Sequence, residues 1–119
     1  MGMADGAQQR IIQFAAVQDH LFVMDRLDRA LPLYEHASQL DADNGRALSA
    51  YLNTLRILRG PYAVYDVCRR RLQQAEDAER EGRLRDALRI YRQVAAGAPL
   101  DVGERDAARQ AVERLDAAH

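Results

Sequence analysis

The chain has no lysine: all 17 of its basic residues are arginine. Against 18 acidic residues they leave a net charge of −1 and an isoelectric point near 6.3. That balance argues against a general nucleic-acid or membrane-surface binder, which needs a clear basic excess. The all-arginine usage fits either the codon bias of a GC-rich genome or a surface selected for bidentate pairing with carboxylates. Cysteine is nearly absent too. Cys68 stands alone, so no internal disulfide can form, and a reducing, cytoplasmic setting is expected. With no His or Asn near it in sequence, Cys68 reads as a small buried hydrophobe rather than a nucleophile. No apolar run approaches the roughly 20 residues needed to span a bilayer, so membrane insertion is not expected. The opening MGMADGAQQR lacks the basic and apolar regions of a signal peptide, and its Met-Gly start lacks the Ser or Thr of a myristoylation motif.

Catalytic signatures are missing as well. His20, His36 and His119 are scattered, without HxxxH or HExxH spacing, so no metal site is assigned. Asp19 and His20 are adjacent, and adjacent residues on a helix point roughly 100° apart, so they form no dyad. There is no Gly-rich phosphate loop and no nucleophile elbow. No catalytic residue and no cofactor follow. The one basic run, CRRRLQ (Cys68 to Gln73), spreads three arginines around a helix and runs at once into acidic residues, which describes a solvated, salt-bridged face.

What remains is helix. The chain's 119 residues suit one small domain, and 48% hydrophobic with 29% charged residues describes a globular protein rather than a disordered one. β-branched residues are sparse and no segment alternates with period two. Breakers at Gly45, Gly60-Pro61, Gly82, Gly97 to Pro99 and Gly103 divide the chain into about six helices. Residues 1–6 are expected to be a flexible N-terminus and 7–119 a single helical domain. The expected helices cover about 7–24, 27–41, 45–59, 62–81, 84–96 and 102–117, the last with Asp101 as its N-cap. The first carries a stripe of Ile11, Phe14, Val17, Leu21 and Met24, and a second apolar stripe of Ile12, Ala15, Phe22 and Val23. A helix apolar on two faces needs cover on two sides. Pro32 is awkward inside the second helix. It predicts either a helix start no earlier than Asp28 or a bend near Leu31.

One phrase occurs twice. LDRALPLYEHASQLDAD begins at Leu27 and LRDALRIYRQVAAGAPLD at Leu84, each with Leu, then Ala-Leu three residues on, then Tyr four residues after that Ala. The segment AEDAEREGRLRDALRIYRQVAAGAP resembles a tetratricopeptide repeat, a 34-residue helix–turn–helix unit. The resemblance rests on Ala75, Ala78, Gly82, Ala87, Tyr91 and Pro99. Small residues let two helices approach, Gly82 takes a left-handed turn, Tyr91 fills the gap to the next unit, and Pro99 ends the helix. A first copy over about 11–44 is degenerate, with Gln18, Asp25 and Ala42 where a small residue, Gly and Pro would stand. A second unit spans about 45–81 and a third about 68–101, sharing one extended helix, and 102–117 caps the end. The resemblance thus implies an all-α fold, a short right-handed α-solenoid of antiparallel helix pairs.

It also implies a binding module with no enzymatic activity, whose inner groove takes a protein or peptide partner. The carboxylate clamp of some members needs Lys, and the matching places hold Ala15, Asp19, Ser49 and Asn53. A groove of Ile12, Asp19, Phe22 and Val23 beside Arg46, Ser49, Asn53 and Arg56 suits an amphipathic partner instead. Asn53 is the foremost candidate, because an amide can pair with both the donor and the acceptor of a peptide backbone. An adaptor or small chaperone, akin to compact three-repeat chaperones of bacterial secretion systems, is the first functional expectation. A scaffold that forms homo-oligomers through its end helices is the second, and an enzyme or nucleic-acid binder is the remaining alternative.

Overall fold

The computed structural model describes the backbone of residues 2–40 and 45–118, and side chains from residue 17 onward within those ranges. It is all-α, with five helices and no strand among the described residues: α1 (Gly2–Leu40), α2 (Gly45–Arg59), α3 (Pro61–Arg80), α4 (Leu84–Gly97) and α5 (Gly103–Ala117). α4 packs against α2, α3 and α5, while α2 also packs on α1 and α3, and α3 on α5. The core is built from Leu48, Leu52 and Leu55 of α2, Val64 and Cys68 of α3, Tyr91 and Val94 of α4, and Ala108, Ala111 and Leu115 of α5.

The main correction to the sequence reading lies in α1. The two helices expected over 7–24 and 27–41 are one, so the count is five and not six. No turn forms at Asp25. No non-glycine residue described here has a positive φ, and residues 21–31 hold no glycine to supply one cheaply. Pro32 does not start the helix either; α1 runs through it. Pro32 and Asp28 are both exposed, so water can take the carbonyl that the proline leaves without a donor. Meanwhile Leu31 and Ser38 on the packed side stay buried.

The α3–α4 hairpin forms as the local signals dictate. Pro61 sits in the first turn of α3, after Gly60 at φ 85°. At the other end Gly82 has φ 79°, the Arg83 amide donates to the Ala78 carbonyl at 2.8 Å, and the Gly82 amide donates to Glu79 at 3.1 Å. This is a Schellman stop, which satisfies carbonyls that the helix end leaves open. Ala75, Ala78 and Ala87 are all buried, and Tyr91 is buried beside them. At the start of α5 the sequence reading needs a second correction. The N-cap is Val102, with no side-chain cap, and not Asp101. Asp101 is instead turned toward Arg56, 3.6 Å away.

Ala87 has no exposed surface. Replacing it with Leu forces extra methyl groups into this contact, and we expect a loss of about 1–3 kcal/mol in stability. Equilibrium unfolding in urea measures it. A variant as stable as the parent would mean that Ala87 is not packed between the helices.

Candidate partner-binding groove

α3 and α5 lie side by side, both seated on α4. Glu104 shares a cleft with Tyr62, and Arg114 shares one with Glu79. Both helices therefore run in the same direction, and a groove follows the line between them. From Tyr62 to Arg80 it is about 27 Å long at the helical rise per residue. That length would hold roughly eight residues of extended peptide.

The groove has two wide places. One, of about 520 Å³, has Leu72, Tyr91, Ala107 and Ala111 as its apolar lining and Glu76, Arg80 and Gln110 among its polar lining. Its polar side is fixed by a fork. Arg114 donates through Nη1 to Glu79 Oε2 at 2.9 Å and through Nη2 to Oε1 at 2.8 Å, and the Tyr91 hydroxyl donates to the same Oε1 at 3.1 Å. The Arg114 hydrogen bonds hold the Glu79 carboxyl below its usual range. The other wide place, of about 480 Å³, is lined by Tyr62, Ala63, Tyr65, Asp66, Arg69 and Glu104. Tyr62 and Tyr65 meet edge to face, with ring centroids 6.5 Å apart and planes at 76°. Tyr62 is 84% exposed, an aromatic surface that costs little entropy to order on binding. Asp66 anchors Arg69 at 2.8 Å and Arg70 at 2.7 Å.

The residues singled out from sequence sit elsewhere. Arg46, Ser49, Asn53 and Arg56 share one side of α2 at helical spacing. Asn53 and Arg46 are exposed, while Ser49 and Arg56 are partly buried. Arg56 approaches Asp101 at 3.6 Å, an ion pair too long for a hydrogen bond. Asp19, Phe22 and Val23 are exposed on α1. A chain of 15 residues such as α2, turning back from Leu40, covers about the same length of α1. It ends near Arg26, so these three residues lie past its end and not beside Asn53. The side chain of Ile12 lies outside the described residues.

Sequence reasoning missed a polar clip. Arg71 donates through Nη1 to Gln93 Oε1 and through Nη2 to Ser38 Oγ, both at 2.9 Å. Gln93 Nε2 donates to the Ser38 carbonyl, and Ser38 Oγ donates to the Glu35 carbonyl at 2.7 Å. Ser38 and Gln93 have no exposed surface. The clip joins α1 to α3 and α4, two helices whose backbones α1 does not otherwise approach among the described residues. Arg71, read from sequence as part of a solvated basic run, is partly buried, and desolvation pulls its pKa down from the ordinary arginine value.

Among the described residues no cluster of His, Cys, Asp and Glu could hold a metal ion, and no helix is long and apolar enough to cross a membrane. In comparisons with known proteins, the chain matches no family model, no curated protein and no solved structure.

Two buried groups set an alkaline limit. Burial pushes the Cys68 thiol up to about 11 from 9.0. Burial, helped by the bond to Glu79, pushes the Tyr91 hydroxyl up to about 12 from 10.0. The folded state keeps both protons while the unfolded chain loses them. Their contribution to stability is therefore complete below pH 9 and is lost as the pH climbs through 9.0 to about 11 and then about 12. A pH series of urea midpoints should fall above pH 9, and Cys68→Ala should flatten the first part of the fall. A midpoint unchanged up to pH 11 would contradict the burial of both groups.

Proposed function

We propose that this protein is a non-enzymatic interaction module of tetratricopeptide type, which holds a partner peptide in the groove between α3 and α5. The observation that carries the reading is that groove. Two parallel helices on a common support line it, with an exposed tyrosine pair at one end and an apolar floor with an acid–base rim at the other. The α3–α4 hairpin supports the repeat assignment, because small residues lie at the helix contact, Gly82 makes a left-handed stop, and a buried tyrosine follows. α5 then stands where the opening helix of a next unit would stand. The mixed rim, with Glu76 and Gln110 outside the Glu79–Arg114 fork and Arg80 in an exposed pair with Asp77, suits a partner that is apolar on one side and polar on the other. The free thiol of Cys68 fits a cytoplasmic adaptor or small chaperone.

The test starts from a peptide selected from a display library on the intact protein. Tyr62→Ala and Glu76→Arg should each weaken that peptide by about tenfold or more, which is about 1.4 kcal/mol. Both residues are exposed, so their loss should change stability by no more than about 0.5 kcal/mol. Asn53→Ala is the comparison. If it abolishes binding while Tyr62→Ala does not, the partner sits on α2 and the groove reading fails.

A further inference from the structure

We infer, resting on the reading of the α3–α5 groove as the partner site, that the segment held there is basic: it carries two arginines about three positions apart, one for Glu104 beside the tyrosine pair and one for Glu76 beside the apolar floor. Three arginines line the two wide places of the groove, and each already faces a carboxylate of this chain. Arg69 holds Asp66 at 2.8 Å, Arg80 pairs with Asp77, and Arg114 forks onto Glu79 at 2.8 and 2.9 Å. Two carboxylates of the lining are left over. Among the described residues neither Glu76 nor Glu104 makes a hydrogen bond or an ion pair. Glu76 is exposed, and Glu104 is partly buried, so water screens its charge less completely. The open charge is thus negative at both wide places, although the whole chain carries only −1. A basic segment complements it, and an acidic one meets an unpaired like charge at each place.

The tyrosines select the kind of cation. Tyr62 and Tyr65 share the cleft with Glu104, and their planes stand at 76°. A guanidinium can lie on an exposed ring face and reach the carboxylate with its planar fork, whereas an ammonium offers only a point charge. Register sets the spacing. Arg114 stands opposite Glu79. α3 and α5 run parallel with the same rise, so Glu104, ten residues before Arg114, stands level with Arg69, which shares its cleft. Glu76 lies seven residues further along α3, about 10 Å away, a distance that about three residues of extended chain span. The two carboxylates belong to opposite walls, Glu104 to α5 and Glu76 to α3. Side chains at an odd spacing on an extended chain also point to opposite sides. Leu72 lies between the two levels and gives an apolar residue between the arginines a surface to cover.

The experiment selects a random-peptide library on the intact protein and measures an enriched peptide by fluorescence anisotropy. The expected peptides carry two arginines at that spacing around an apolar residue. Replacing both arginines with glutamine should weaken binding at least about tenfold. Glu76→Gln and Glu104→Gln should each weaken the arginine peptide and leave its glutamine version unchanged, while Tyr62→Ala should weaken both. The two glutamine variants should keep the parent's urea midpoint, because neither carboxylate holds a partner among the described residues. Glu104→Arg should in turn prefer a peptide with glutamate in place of one arginine. Enriched peptides that are neutral or acidic, and that lose affinity with Tyr62→Ala, would overturn the basic partner and leave the groove reading standing. So would an arginine peptide that needs Tyr62 but binds both glutamine variants as well as the parent. Peptides indifferent to Tyr62→Ala and to both glutamine variants would overturn the groove reading and the basic partner together.

Discussion

Gly97→Ala is expected to destabilise the protein by about 1–3 kcal/mol, and Gly97→Val by more. The sign is the point. An ordinary Gly→Ala change within a helix stabilises by up to about 1 kcal/mol. Here a Cβ on Gly97 would lie 2.6 Å from the carbonyl oxygen of Gly45 and 2.9 Å from Leu48 Cβ. The reverse holds too: a Cβ on Gly45 would lie 2.5 Å from Ala96 Cβ and 2.8 Å from the Ala96 carbonyl carbon. Backbone meets backbone at this crossing of α2 and α4, so no flexible side chain can swing away. α4 cannot retreat either, since α3 and α5 are packed on it. Gly103 is the control. Nothing lies within 4 Å of a Cβ added there, so Gly103→Ala should be neutral or mildly stabilising. Urea midpoints of the three variants measure the difference. If Gly97→Ala and Gly103→Ala behaved alike, the close approach of α2 to α4 would be wrong.

Gln93→Leu is expected to have a comparable or larger effect. Leucine fills most of the volume but leaves the Ser38 carbonyl without its donor and Arg71 Nη1 without its acceptor. Each group left unpaired costs about 1–3 kcal/mol. The damage should fall on the attachment of α1, because the clip is what links it to α3 and α4. Replacing both partners, Gln93→Leu with Arg71→Met, should recover part of the loss, since removing a whole polar pair costs less than orphaning one member. A double-mutant cycle on these two residues should give a coupling of about 0.5–3 kcal/mol. Strictly additive losses would show that the two side chains do not act together.

What the sequence made legible was local. Gly60-Pro61 and Gly82 determine their own backbone, so the bounds of α2, α3 and α4 could be read closely from them. Ala75, Ala78, Ala87 and Tyr91 were found because their spacing repeats a familiar pattern, and all four are buried. The repeated phrase misled over α1. Leu27, Ala30 and Leu31 do mark a packed face, but one half of a long helix presents that face as well as a separate helix would. Without a glycine near Asp25, nothing local forces a turn. Tertiary features were out of reach. Gly45 and Gly97 were read as breakers, which their positions at helix ends support, yet their close approach joins residues 52 apart in sequence. Arg71 meets partners 22 and 33 positions away, and no periodicity announces such a bond. The groove between α3 and α5 was missed for a related reason. Tyr62, Tyr65 and Glu76 fall on the solvent side of one helix, and only the seating of α5 on α4 gives that side a facing wall.

The most direct test of the central claim is an amide NMR map of the protein with and without a library-selected peptide. The account predicts that the perturbed amides cluster on α3 and α5, around Tyr62, Tyr65, Leu72 and Gln110, and leave the exposed side of α2 unchanged. Perturbations confined to α2 around Arg46, Ser49 and Asn53, or spread without pattern over the five helices, would contradict it.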